Sequence, residues 1–198
     1  MRSDARLFLN FLMAITIGIS FGLFLGNKLE PSNTMPTGAS TSDTVYLLQV
    51  GSYEQEIPAN IALSELYSLD TFALIVNEST TYNIYVGIST SEEDLVMKKE
   101  YLESHNLNAV IKAKSLFSLL SFLDSNSSEY TFWYKSINYY LSLLNNQSVM
   151  FSEDYINSIT EPRMPFYSSL NGLNSNINQN KSGEFKLYTY RNLVETLT

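Results

Sequence analysis

The side chains of this chain that could do covalent chemistry are few and poorly placed for it. There is one histidine, His105, and no cysteine. A cysteine nucleophile, a disulfide, a thiolate metal site and a lipid-modified cysteine are therefore excluded. His105 sits near the end of a helical segment, where histidine is favoured as a cap, and alone it is a poor candidate for general base. Zinc would need carboxylates, and no HExxH stands in the sequence. Glu92, Glu93 and Asp94 follow Ser91 as a charged first helical turn rather than as a catalytic pair. P-loop, GxSxG and GxGxxG signatures do not occur. The expectation is a chain that binds without catalysing, with no metal and no cofactor.

Recognition then rests on polar and aromatic side chains carried by strands. Val45–Val50 is a β-type run ended by Gly51 and Ser52. In a strand, alternate residues share a face. Leu48 and Val50 fall on one face, and Leu47 and Gln49 on the other. A second such run, Tyr82–Ile88, places Ile84 and Val86 on the core side. Thr81, Asn83 and Tyr85 then share the opposite side. Tyr85 has two readings there: a ring that stacks on a sugar while its phenol stays wet, or a cross-strand aromatic that stabilises the sheet. Lys112, on the last strand, is a further candidate of the same kind.

The elements that position these residues follow from periodicity. Ala59–Leu69, after Pro58, carries Ile61, Ala62, Glu65, Leu66 and Leu69 at helical spacing. Phe72–Val76 is a short apolar strand, and Asn77–Thr81 is a turn. Ser91 reads as an N-cap for a helix that runs to about Ser104, and Ala109–Ala113 closes as a strand. The order strand, helix, strand, strand, helix, strand is the split βαβ, ferredoxin-like (RNP-like) pattern of an α+β domain over 43–114. Two helices cover one sheet face, and the other is expected to be free for a ligand.

The N-terminus adds a location. Leu7–Leu25 has no charged residue and is long enough to span a bilayer, whereas a cleavable signal has a shorter apolar core and a small-x-small site. Gly18, Gly22 and Gly26 have helix-pairing spacing, or are ordinary membrane-helix glycines. Arg2 and Arg6 precede the span, so residues 1–6 are expected in the cytoplasm and the remainder outside. Residues 26–42 read as a linker, with Pro31–Ser42 rich in small polar residues. The net charge is −8, which argues against nucleic-acid binding.

The stretch Tyr46-Leu-Leu-Gln-Val-Gly-Ser-Tyr53, echoed by Ile84-Tyr-Val-Gly-Ile88 and set in this strand-helix order after an anchor, resembles the SPOR domain. That family is a small extracytoplasmic module that binds septal peptidoglycan. The resemblance implies a membrane-anchored, non-enzymatic protein that holds glycan strands at the bacterial cytoplasmic membrane, in cell division or sporulation. It implies that Gln49 and Ser52 contact the glycan, the amide serving as both donor and acceptor for sugar hydroxyls. With Leu47, Asn83, Tyr85 and Lys112 these make the expected site. The alternative is a protein-interaction module that uses the same sheet face for division or envelope proteins.

Residues 115–198 read as a helical, partly disordered extension. Tyr130, Trp133, Tyr134, Ile137, Leu141 and Leu144 make a helical stripe over 129–145. The stripe either packs within its own domain or forms a partner surface. Leu116–Leu123 is expected as a short helix, and Ser152 as the start of another. Ser168–Ser182 is Asn/Ser-rich and expected to be disordered. Leu187, Tyr190, Val194 and Leu197 form a terminal helical stripe.

Overall fold

The computed structural model describes residues 43–179 and 181–197. The anchor and linker expected over 7–42 lie outside them. Among the described residues no helix is long and apolar enough to cross a membrane.

Strand β1 (Thr44–Tyr53) lies inside a four-stranded sheet with β2 (Leu74–Glu78), β3 (Thr81–Ser89) and β4 (Val110–Ser115). The spatial order is β2-β3-β1-β4. Every neighbouring pair is antiparallel. The β1–β3 register slips at Val50 and at Val86, so each strand carries an extra residue. These bulges increase the local twist. They also explain why β1 continues past Gly51, where the sequence reading ended it. A Cβ on Gly51 would lie 2.5 Å from the Tyr53 ring, and one on Gly87 would lie 2.9 Å from Leu95 Cδ2. Both glycines therefore permit close packing beside a bulge. Lys98 Nζ donates to the Val86 carbonyl, which satisfies the acceptor there. Burial pushes that ammonium below the usual lysine range, and the Glu184 carboxylate partly offsets the effect.

Helices α1 (Glu56–Ser68) and α2 (Glu93–Ser104) cover one face. Leu48, Ile84 and Val86 meet Leu66, Leu95 and Leu102 there. Ser91 does not cap α2 by accepting from its backbone; its hydroxyl donates to the Glu93 carboxylate instead. His105 does sit at the helix end, with Nδ1 2.8 Å from the Tyr101 carbonyl oxygen. Asn106 follows with φ 60°, a left-handed turn position that asparagine tolerates.

The C-terminal half is built of α3 (Ser128–Leu144), the short α4 (Glu153–Asn157), α5 (Met164–Ser175) and α6 (Ser182–Leu197). A single 3-10 turn, Phe117–Leu120, stands where a short helix was expected. Ser127 caps α3, its hydroxyl accepting from Tyr130 N at 3.0 Å. Of the expected stripe, Trp133, Ile137, Leu141 and Leu144 are buried, with Tyr140 beside them, so most of it packs within its own domain, while Tyr134 is exposed. Expected disorder over 168–182 is corrected in part: α5 extends to Ser175 because Phe166, Leu170 and Leu173 are fully buried, and α6 starts at Ser182.

These helices share one core with the sheet. Val45, Leu47, Leu74, Val76, Tyr85 and Ile88 join Leu187, Tyr190, Leu193, Val194 and Leu197 of α6. The described residues fall in one compact unit, with no break at Lys114. Each large apolar side chain buried this way stabilises by about 1.5–3 kcal/mol, so α6 contributes on the order of 10 kcal/mol, comparable to the whole stability of a domain. Deleting residues 182–198 is therefore expected to abolish slow hydrogen exchange at the β2 and β3 amides. Slow exchange retained in those strands would show that the sheet stands without α6.

Candidate functional site

Leu47, Gln49, Asn83 and Tyr85 share one side of the sheet, as strand alternation predicts, but that side is not open. Leu47 is 1%, Gln49 6%, Asn83 6% and Tyr85 3% exposed. Only Ser52 and Lys112 are exposed. The free face expected from the two-layer pattern is thus a correction: the C-terminal helices supply a third layer. The physical reason is visible in residue types. Leu47 is apolar on the very face expected to be free, and Val45, Leu74, Val76 and Ile88 join it there, so that face needs a cover.

Within this apolar layer lies a connected polar cluster. Gln49 Nε2 donates to Asn83 Oδ1 at 3.0 Å and to the Gly51 carbonyl at 2.9 Å. Asn83 Nδ2 donates to Glu78 Oε2 and to Thr81 Oγ1, both at 3.2 Å. The Tyr85 hydroxyl donates to Glu78 Oε2 at 3.3 Å and the Tyr190 hydroxyl to Glu78 Oε1 at 2.7 Å. Lys114 Nζ completes the cluster 3.0 Å from Glu78 Oε1 and 5.7 Å from the Tyr190 ring centre. Gln49 Oε1 is buried without a hydrogen-bond partner.

One carboxylate therefore gathers β3, β4 and α6. Glu78 and Lys114 belong to the two opposite edge strands, and the twist of the sheet brings these corners together over one face. Burial, then the nearby Glu78 charge, pushes both tyrosine phenols well above the usual tyrosine range. Tyr85 meets Tyr190 edge-on, with ring centres 5.8 Å apart. Of its two readings, the packed aromatic is realised: the ring has no free face for a sugar. Sequence reasoning missed Glu78 and Tyr190. The signal was available only in part, because Glu78 stood in a segment read as a turn.

Among the described residues no cluster of His, Cys, Asp or Glu is arranged to hold a metal ion. No family model and no curated protein matches the chain. Among solved structures, the chain has a likeness to the solution structure of the peptidoglycan binding domain of the B. subtilis cell wall lytic enzyme CwlC. The two are 15% identical, with 41% of this chain and 99% of that chain covered and a TM-score of 0.35.

The cluster is expected to act through stability. Replacing Glu78 with Ala leaves Lys114, Tyr190 and Tyr85 without their acceptor and should cost about 1–3 kcal/mol in chemical denaturation. Tyr85→Phe should cost about 0.5–1.5 kcal/mol, whereas Tyr85→Ala, which empties a buried volume, should cost about 3–5 kcal/mol. An unchanged denaturation midpoint for Glu78→Ala would show that the cluster holds nothing together.

Proposed function

We propose that this chain is a non-enzymatic protein of the bacterial cell envelope. In this reading residues 7–25 anchor it in the cytoplasmic membrane and the α+β unit outside holds glycan strands of peptidoglycan during division or sporulation. Support comes from the resemblance of Tyr46–Tyr53 to a SPOR strand and from the strand-helix order in which it sits. The observation that carries the reading is the strip left exposed beside Gln49. Val110 pairs with Gln49 and Lys112 with Leu47 on the outer strand β4, and Ser52 extends the line at the end of β1. All three are exposed. A hydroxyl, an apolar side chain and an ammonium in a row suit sugar hydroxyls, a ring face and a lactyl carboxylate. Contact through Gln49, Asn83 or Tyr85 themselves would require the helical layer to leave. The protein-interaction alternative loses its open face for the same reason.

The test is sedimentation of the full-length chain, in mild detergent, with sacculi stripped of their stem peptides. The chain should pellet with the sacculi. The double variant Ser52→Glu, Lys112→Glu should pellet several-fold less at an unchanged melting temperature, since exposed substitutions alter stability by about 0.5 kcal/mol or less. A parent chain that stays in the supernatant, or a double variant that pellets equally well, would overturn the reading.

A further inference from the structure

A second surface of the unit has the features of a docking groove. The strand β2 is an edge strand, so one side of its backbone has no neighbouring strand. A groove of about 400 Å³ runs along it, walled by α1 on one side and α6 on the other. The Tyr67 hydroxyl bonds to the Ala73 carbonyl and Tyr188 packs on Phe72, which places both tyrosines at the Leu74 end. Further along α6 come Arg191 and then Glu195, which also line the groove. Glu56 opens α1 at the end of β1, hence near the β2–β3 hairpin.

The charges along this groove are incompletely satisfied. Arg191 Nε is buried with no hydrogen-bond partner. Its ion-pair partner Glu195 lies 3.9 Å away, too far for a hydrogen bond. Glu56 and Glu195, two carboxylates, stand toward the hairpin end. The spacing fits a strand: residues four apart on a helix rise about 6 Å, and alternate residues on a strand are about 6.6 Å apart. A strand laid beside β2 can therefore set one carboxylate at Arg191 and one ammonium at Glu195 from positions two residues apart.

We propose that the β2 edge binds an extended peptide segment of a partner protein as a fifth, antiparallel strand. The segment carries a basic residue and, two positions later, an acidic one. Backbone hydrogen bonds to β2 hold it, and the Arg191/Glu195 pair selects its charges. The intervening side chain faces Ile75 and Leu63, which line the groove from the other side. This surface is separate from the glycan strip on β4, at the opposite edge of the sheet.

The probe is the fluorescein-labelled heptapeptide Thr-Val-Lys-Val-Glu-Val-Thr, titrated against the full-length chain in mild detergent by fluorescence anisotropy. Saturable binding is expected, with backbone amide shifts concentrated in 74–78. A peptide with its lysine and glutamate exchanged should bind roughly tenfold more weakly. The chain with Arg191→Glu and Glu195→Arg should reverse that preference. N-methylation is made in two separate peptides, at the central valine in one and at the lysine in the other. Because alternate amides of a strand face its neighbour, one of the two should abolish binding while leaving every side chain in place. The peptide changes leave the protein's fold untouched, so they decide the matter even if the double variant unfolds. No saturable binding up to millimolar peptide, or binding indifferent to both N-methylation and charge order, would overturn the proposal.

Discussion

A sheet that is apolar on both faces has to be covered on both faces, and the rest of this structure depends on that constraint. Leu48, Ile84 and Val86 on one side need α1 and α2; Val45, Leu47, Val76 and Ile88 on the other need the C-terminal helices. A four-stranded sheet with two helices cannot satisfy the second demand alone. The chain therefore continues past β4, turns back through Phe117–Leu120 and lays α6 across β2 and β3. The cover is an integral layer rather than an appendage. Its removal exposes Leu187, Tyr190, Leu193 and Val194 together with the sheet residues beneath them, a loss too large for a small rearrangement to recover.

The polar cluster around Glu78 gives this layer its specificity. Apolar packing fixes a volume but tolerates sliding; a carboxylate with four donors does not. Asn83 and Tyr85 report the β2–β3 register to Glu78, Lys114 reports the far edge of the sheet, and Tyr190 reports the rotation of α6. Slippage by one residue in any of these elements would bury a donor without its acceptor. Lys114 and Glu78 are partly exposed, so their ion pair alone adds little, whereas losing the shared acceptor leaves its donors unpaired. The cluster therefore stabilises this one arrangement by making every other one costly. Gln49 Oε1 remains the unsatisfied member.

Much of the sheet was legible in the sequence because strand periodicity is local. Val45–Val50 and Tyr82–Ile88 sort Leu48, Ile84 and Val86 from Gln49, Asn83 and Tyr85 correctly, since all six lie at or before the bulges at Val50 and Val86; Ile88, beyond the second bulge, turns to the face opposite Ile84. The helical stripes of α3 and α6 were legible for the same reason. What faces a strand's second side is not local. The run Val45–Val50 is nearly continuous in apolar residues, a pattern of double burial, yet the single Gln49 within it was weighted as a ligand group. The α5 helix was hidden by its asparagines and serines. Their low propensity is overridden where Phe166, Leu170 and Leu173 bury completely. The Glu78–Lys114 pair joins residues from the two edge strands and depends on sheet twist, which no periodicity encodes.

Covering both faces also determines where such a unit can bind anything. What remains available are the sheet's edges, the strand ends and the outer sides of the helices. Edge strands carry unpaired backbone groups and must be protected or used. The two edges here are treated differently. Along β4, Lys112 stands exposed beside Val110, and a lysine at an edge deters pairing with another strand. Along β2 there is no lysine, and two helices form walls around the edge instead of closing over it. The asymmetry separates a charged outer strip suited to a polar polymer from a walled groove suited to an extended chain. A third layer that closes the sheet face thus leaves the two opposite edges as the accessible parts of the sheet, and the two proposed ligands would occupy one edge each.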